Sequence, residues 1–532
     1  MIPTDYKLIS TPEDLRAAVE ELRQHPVIGF DTETTDLDPY RGRLRLIQFA
    51  APDGVRIIDL DRFTNGDLKK NEALAPLREL LTAPRPVKIG HNLKFDSKWA
   101  KHKLGVELNG LFDTLLASQI VSAGDMDERH GLEAVASRYL NETIDKAERL
   151  SDWSGELSES QLQYAALDAA VLTPLREKLI ERLKSDALLR CAQLEFECVL
   201  PVASLELAGI YLDKERWREQ LSVVEKKRAT LAEELQQMLA EESPQQSLFG
   251  GPTRMDINLD SHVQLTRALT RLGVPVPDST RNWKLQPLAA EYPVVAKLLE
   301  YRTVQKALTS YGENILEEIN PVTGRIHANF HQIGAPTGRF ACNSPNVQQV
   351  PHSIEYRRCF RAPEGRKLVV SDFSQIELRI LMTGLTLSDA ESLLQRYFAT
   401  YRQLDAWLRE AANRAVRERT ARTASGRLAR FRFDSEDRQA MSLAQRNGKN
   451  TPIQGSSADI LKRALRLLHD QLRDTSACIV NIVHDEIVVE ADADETEAIS
   501  KKVEDAMCAA GEEYVKKVPI KVETQVSDEW VK

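Results

Sequence analysis

The chain of 532 residues has only six cysteines, Cys191, Cys198, Cys342, Cys359, Cys478 and Cys508, with no Cys-x-x-Cys pair and no histidine at zinc spacing. That scarcity argues against a disulfide framework and against a thiolate zinc site, and the thiols read as reduced and structural. Aromatic residues are few, at 6%. No apolar run reaches the roughly eighteen residues that a membrane span requires, and Met1-Ile-Pro-Thr-Asp5 lacks the basic start and apolar stretch of an export signal. A cytoplasmic location with no membrane partner is expected. An excess of positive charge is also missing, the net charge being −9, so any nucleic-acid contact has to come from local basic patches. What the chain does have is 42% hydrophobic and 28% charged residues, enough for three or four soluble cores.

The charges are not scattered at random. In Pro26-Val-Ile-Gly-Phe-Asp-Thr-Glu33 an apolar run, Val27 to Phe30, reads as a buried strand, and Asp31 and Glu33 share one face at period two. Adjacent carboxylates repel, and divalent cations relieve that repulsion. A pair of such ions about 4 Å apart favours in-line phosphoryl displacement. Val87-Lys-Ile-Gly90 then leads through His91-Asn-Leu-Lys-Phe to Asp96 in an early helical turn. Further on, Ser158-Glu-Ser-Gln161 has the capping-box spacing, and its helix carries Tyr164 and Asp168 on one face. Between these motifs, Leu44 to Ala50 and Val55 to Leu60 flank Pro52-Asp-Gly54, the pattern of an antiparallel hairpin in a mixed sheet.

Asp31, Glu33, Asp96, Tyr164 and Asp168 together resemble the tyrosine-containing branch of the DEDD 3′–5′ exonucleases, over roughly residues 20 to 190. The resemblance implies a ribonuclease-H-like α/β fold. It also implies two Mg²⁺ or Mn²⁺ ions held by the four carboxylates, with Tyr164 orienting the attacking water.

A second set of acids follows. Lys367-Leu-Val-Val-Ser-Asp372 is again an apolar strand ending in an acid, and Cys478 to Glu490 places two β-branched runs around His484-Asp485, a hairpin with acids at its tight end. With Thr337-Gly-Arg339, Ser344-Pro-Asn-Val-Gln-Gln-Val-Pro351 and Asn450-Thr-Pro-Ile-Gln454, these segments resemble the family A DNA polymerases over roughly residues 195 to 532. By that resemblance Asp372 and Asp485 bind two metal ions and Glu486 supports them. Glu377 would exclude a 2′-hydroxyl, while Arg339, Asn346, Gln348, Gln454 and His484 would contact the primer terminus or the minor groove. Acceptors there are similarly placed in every base pair, so pairing is checked without reading sequence.

One departure from the family is large. Glu377-Leu-Arg-Ile-Leu381 runs directly into Met382-Thr-Gly-Leu, which resembles sequence lying beyond the fingers helices, and no Lys-x₃-Phe-Gly-x₂-Tyr pattern occurs anywhere. The spacing from Asp372 to Asp485 is short by roughly sixty to seventy residues, about half a small domain. Both edges of the junction match in register, as when a segment is absent whole. Fingers supply the cations and the aromatic that hold the incoming nucleotide, so extension by this chain should be slow or absent.

The expected architecture is therefore multidomain, α/β and α+β. Residues 1–190 form the exonuclease domain, 191–330 a helical thumb and the start of the polymerase, and 331–532 a palm of antiparallel sheet with helices, its fingers missing at 381/382. Helices are expected over 194–212 and 214–241, with a loop at Ser243 to Pro252. Seven arginines from Arg414 to Arg432 face only one acid, Glu418, and beside a palm they are expected to touch the DNA backbone. The expected activity is proofreading DNA polymerase I-type synthesis in replication and repair, by a monomer. Its partners would be primer-template DNA, single-stranded 3′ ends and, where fingers are present, deoxynucleoside triphosphates. The alternative is an enzyme that only degrades, or only binds, DNA.

Overall fold

A computed structural model describes residues 5–531 apart from 64–66, 145–147, 149–150, 240, 247–251, 278, 352, 374–401 and 435. Glu377 and the 381/382 junction lie outside the described residues. The chain divides into two units, one made of Met1–Tyr211, Asn320–Gln348 and Arg361–Lys532, the other of Leu212–Ile319 and Gln349–Phe360.

In the first unit, strands β1 (Tyr6–Ile9), β2 (Val27–Thr34), β3 (Leu44–Ala51), β4 (Gly54–Asp59), β5 (Val87–Gly90) and β6 (Leu111–Asp113) form one sheet in the order β1-β4-β3-β2-β5-β6. The expected hairpin is β3 and β4, antiparallel from Leu46 opposite Asp59 to Ala51 opposite Gly54. β5 and β6 run parallel to β2. Helices cover both faces, which is why β3 and β4 are buried almost throughout. They are α1 (Pro12–Arg23), α2 (Ala75–Thr82), α3 (Leu93–Trp99), α4 (Thr114–Val121), α5 (Leu132–Leu140), α6 (Glu159–Ala170), α7 (Leu172–Ser185) and α8 (Leu189–Ala208).

Ser158 and Gln161 cap α6 reciprocally, as the sequence suggests. Along α6 the small residues Ala165, Ala166, Ala169 and Ala170 pack with Leu46, Ala50, Val55 and Ile57 of the sheet. Their size lets the helix sit low on β2, where a Cβ at Gly29 would collide with the Ala169 carbonyl oxygen. α8 stops at Ala208, earlier than its apolar pattern indicates, because Gly209 turns to φ +62 and the chain continues as Ile210–Tyr211, paired with Arg325–Ile326.

The same unit contains a four-stranded antiparallel sheet in the order Cys478–Val483, Glu486–Asp492, Arg366–Phe373, Val522–Ser527. Helices Ser456–Leu472 and Thr496–Tyr514 pack together, and the latter lies against the sheet. The apolar strand before Asp372 and the hairpin around His484-Asp485 are both present as expected.

The second unit is built on helices Lys214–Leu239, His262–Arg271 and Pro293–Ser310. Trp217 is fully buried, with the rings of Tyr356 and Phe360 set edge-on at 5.4 and 5.9 Å. Ion pairs Lys227–Glu300 and Lys297–Glu234 join the two long helices. The stretch read as a loop from Ser243 is corrected in part: Glu241–Gln246 pairs antiparallel with Pro252–Met255. The register shifts between Glu242 and Gln246, around Pro244, which has no N–H to give a ladder. Among the described residues, no helix is long and apolar enough to cross a membrane.

Candidate active sites

Asp31 and Glu33 leave β2 on the same face, and α6 brings Asp168 over them. One carboxylate oxygen from each lies within 4.8 Å of the others. Asp96 is outside that tight trio but close enough for its charge to act on both Asp31 and Glu33. Burial, then the charges of Glu33, Asp96 and Asp168, hold the Asp31 carboxyl well above the ordinary carboxylate range. Burial, then Asp168 and Asp96, do the same to Glu33. Asp96 is pushed up to about 7 by burial, against the opposing hydrogen bond from the Thr32 hydroxyl at 2.6 Å. Tyr164 is partly buried, and burial followed by the Asp168 charge raises its phenol far above the usual value. It therefore stays protonated, in hydrogen-bond contact with Asp168 and with Trp153 packed beside its ring.

Four acids forced together, three of them (Asp31, Glu33 and Asp96) resisting ionisation, form a site whose charge is incomplete without a cation. Oxygen-only donors suit hard divalent ions.

One residue of this region escaped the sequence reading. Asp113 ends β6 and accepts hydrogen bonds from four backbone N–H groups, those of Asn92, Leu93, Leu115 and Leu116, at 3.2, 2.7, 2.9 and 3.1 Å. It thus caps α3 and α4 together, and burial still lifts its pKa to about 6. The available signal was an acid closing a short apolar run, Leu111-Phe112-Asp113, as in the two recognised motifs.

In the four-stranded sheet, Asp372 lies directly across from Glu486 on one side and Glu523 on the other. Asp485 precedes Glu486 at the hairpin end, where the Phe373 N–H approaches the Asp485 carbonyl oxygen at 3.4 Å and His484 adopts φ +56. Glu486 is buried and accepts a hydrogen bond from the Trp530 indole at 2.8 Å. Nothing in the local sequence announces Trp530 as a partner of this turn.

A cavity of about 330 Å³ opens beside the hairpin, lined by Arg339, Gln348, His484 and Asp485 with Phe340 and Ser457 among its other walls. Gln348 is fixed by its side-chain amide donating to the Ile482 carbonyl at 3.1 Å and by its N–H donating to Asn346 at 3.1 Å. So four of the residues named from sequence converge on one cavity, and a fifth, Asn346, braces one of them, Gln348. Gln454 lies in the π-helical turn Thr451–Gly455, just before the helix that lines the cavity, and is not among the lining residues.

Part of the arginine run is engaged within the protein. Arg422 donates to the carbonyls of Gly426 and Asp186, Arg430 pairs with Asp186, Arg432 with Asp125, and Arg427 is buried between Glu195 and Asp459. Arg427 is thereby committed to the protein's own acids, from segments too distant in sequence for a charge count to foresee, whereas the Arg432 side chain stays 80% exposed.

Comparison with known proteins agrees with this arrangement. Residues 6–184 match the 3′–5′ exonuclease family model, and residues 222–385 and 382–532 match that of DNA polymerase family A. The chain belongs to DNA polymerase family A. It is 27% identical to DNA polymerase I of Aquifex aeolicus, over 99% of this chain and 100% of that protein. It is also 27% identical to DNA polymerase I of Chloroflexus aurantiacus, over 99% of this chain and 64% of the relative. A solved structure, the POL domain of Pol1 from M. smegmatis in complex with DNA primer-template and dNTP, shares the fold at a TM-score of 0.82 and 23% identity, covering 99% of both chains. This family A polymerase thus joins a 3′–5′ exonuclease domain to a DNA-directed DNA polymerase domain. Both kinds of domain use divalent metal ions, and the carboxylate cluster on β2 and α6 is a place for one.

Proposed function

We propose that Asp31, Glu33, Asp96 and Asp168 hold two Mg²⁺ or Mn²⁺ ions for removal of nucleotides from DNA 3′ ends. Asp372 and Asp485, supported by Glu486, form the corresponding pair for primer extension. The observation that carries the first part is the trio of carboxylates within 4.8 Å, with Asp31, Glu33 and Asp96 held above the ordinary carboxylate range. When bound, such ions neutralise charge on the reacting phosphate. The protein's own part is positional. Tyr164, kept protonated, offers its hydroxyl beside Asp168 for holding a water or the terminal phosphate. At the other site Arg339, Gln348 and His484 wall a cavity suited to a primer terminus, with Gln454 and Asn346 around it and Glu377 as the expected steric guard against a 2′-hydroxyl. Primer-template DNA as partner is supported by the DNA primer-template and dNTP bound in the M. smegmatis structure. The protein is read as a cytoplasmic monomer that works in replication and repair.

A missing fingers segment modifies the second activity. Its absence is supported by the two polymerase-family matches, which meet at residues 382–385, and by an alignment of 618 positions to the A. aeolicus protein for a chain of 532. The domain division at 190, 330 and 381/382 follows the same reading. Without fingers a deoxynucleoside triphosphate has few cations to meet, so this chain should act mainly as an exonuclease.

A labelled primer-template incubated with Mg²⁺ and all four deoxynucleotides tests both sites. Asp31→Ala should abolish shortening and retain duplex binding, whereas Asp485→Ala should remove any extension and spare shortening. Normal shortening by Asp31→Ala would refute the exonuclease assignment.

A further inference from the structure

α8 carries two buried glutamates, Glu195 and Glu206, eleven residues apart, which is about three turns and ~16 Å along one face. Each is bound into a different site. Glu195 belongs to the cluster behind the Thr337-Gly338-Arg339 loop, where Lys462 contacts both Glu195 and the Gly338 carbonyl. Glu206 faces α3. Its carboxylate accepts from Lys94 at 2.6 Å, from Lys98 at 2.7 Å and from the Phe330 N–H at 2.7 Å. Lys94 spends its other donors on the Asn329 side chain and the Phe330 carbonyl, both at 2.7 Å.

Lys94 and Lys98 are one turn apart on α3. Asp96 lies between them in sequence, about 200° around the helix from Lys94, and so on the opposite face. There it meets Thr32 of β2. α3 has seven residues and runs on into the π-helical turn Ala100–Leu104, still marginal as a helix by itself, so its rotation is set by the core packing of Leu93 and Trp99 together with the polar groups that grip its sides. One grip is the lysine pair on Glu206, and the other is Asp113 at its start. A turn of about 20° about the axis would move a carboxylate that projects ~6 Å from it by about 2 Å, whereas metal–ligand distances tolerate only about 0.2 Å.

We propose that Glu206 is a positioning residue for the exonuclease site: acting through Lys94 and Lys98 it fixes the rotation of α3, and with it the placement of Asp96 toward Asp31 and Glu33. The inference rests on the reading of Asp96 as a metal ligand. Glu206 touches no reacting atom, and its influence passes through the helix alone.

Calorimetric titration of the full chain with Mn²⁺ tests it, the heat lost in Asp31→Ala marking the exonuclease site. Glu206→Gln keeps the acceptor for the Phe330 N–H but removes the charge. It should weaken that binding by up to about tenfold, the lower end of the range found when a direct partner of a metal ligand is removed. The Mn²⁺ concentration for half-maximal shortening of a labelled single strand should rise by a similar factor, with the rate recovering at saturating Mn²⁺. Lys94→Met, which leaves Glu206 paired with Lys98, should shift both in the same direction by less, and serves if Glu206→Gln does not fold. Titrations that superimpose on the unsubstituted protein, or a lower rate at every Mn²⁺ concentration with unchanged affinity, would overturn the proposal. Absence of any Asp31-dependent Mn²⁺ binding in the unsubstituted protein would instead defeat the underlying exonuclease reading.

Discussion

Replacing Glu195 by Gln tests how the polymerase loop is anchored. Glu195, Asp459, Arg427 and Lys462 form a cluster of two anions and two cations whose side chains are 0%, 0%, 4% and 0% exposed. Lys462 reaches Glu195 at 2.5 Å, Arg427 touches Glu195 and lies 3.0 Å from Asp459, and Gln332 donates to the Glu195 carboxylate at 2.9 Å. Burial alone would raise the Glu195 pKa, yet Lys462 and Arg427 hold it below the ordinary glutamate value. Glu195→Gln keeps the shape and removes one charge, leaving a buried net positive charge. Breaking such a pair costs about 3–5 kcal/mol. Lys462→Met alone should cost a similar amount, because it leaves the buried cluster with a net negative charge. The double variant restores neutrality around Arg427 and Asp459, so its loss should fall short of the sum of the single losses by about 2 kcal/mol or more. Urea midpoints for the transition of the unit that contains α8, compared across the four proteins, measure that difference. Additive losses, or a Glu195→Gln cost under about 1 kcal/mol, would refute the reasoning.

Two further outcomes follow from single positions. Gly29→Ala adds a Cβ against the Ala169 carbonyl, which lifts α6 and Asp168 off β2. Primer shortening should fall, with a stability loss of about 1–3 kcal/mol, and unchanged exonuclease rate would show that α6 can shift without consequence. Lys88 is fully buried in β5, donates to the Ala83 and Asn109 carbonyls, and is pushed down to about 7 by burial. Unfolded, it titrates near 10.4. Between these values the unfolded chain holds a proton that the folded chain does not, so this group makes stability rise with pH from about 7 to about 10 and adds no slope below 7. The melting-temperature difference between the parent and Lys88→Met should therefore change across that window, and a pH-independent difference would contradict the assignment.

Much of the two sites was readable in the chain because the signals are local. A strand that ends in an acid, a Ser-x-x-Gln cap and a turn between β-branched runs each occupy fewer than about ten residues, and their backbone preferences do not depend on distant segments. That locality placed Asp31, Glu33, Asp168, Asp372 and Asp485 where the fold has them. It failed at the Ser243 loop, where a polar, proline-containing stretch nonetheless pairs across to Pro252–Met255. It failed again for Arg427, which is buried against Glu195 across more than two hundred residues of sequence.

By itself the sequence determined which acids close apolar strands and which backbone elements bear them, since hydrophobic period and turn composition are written residue by residue. Only the tertiary structure decided how close α6 comes to β2, that Asp113 caps two helices, that Trp530 reaches Glu486, and which cations are spent inside the protein. Desolvation and charge coupling depend on every group packed around a site, and that environment exists only once distant segments have come together.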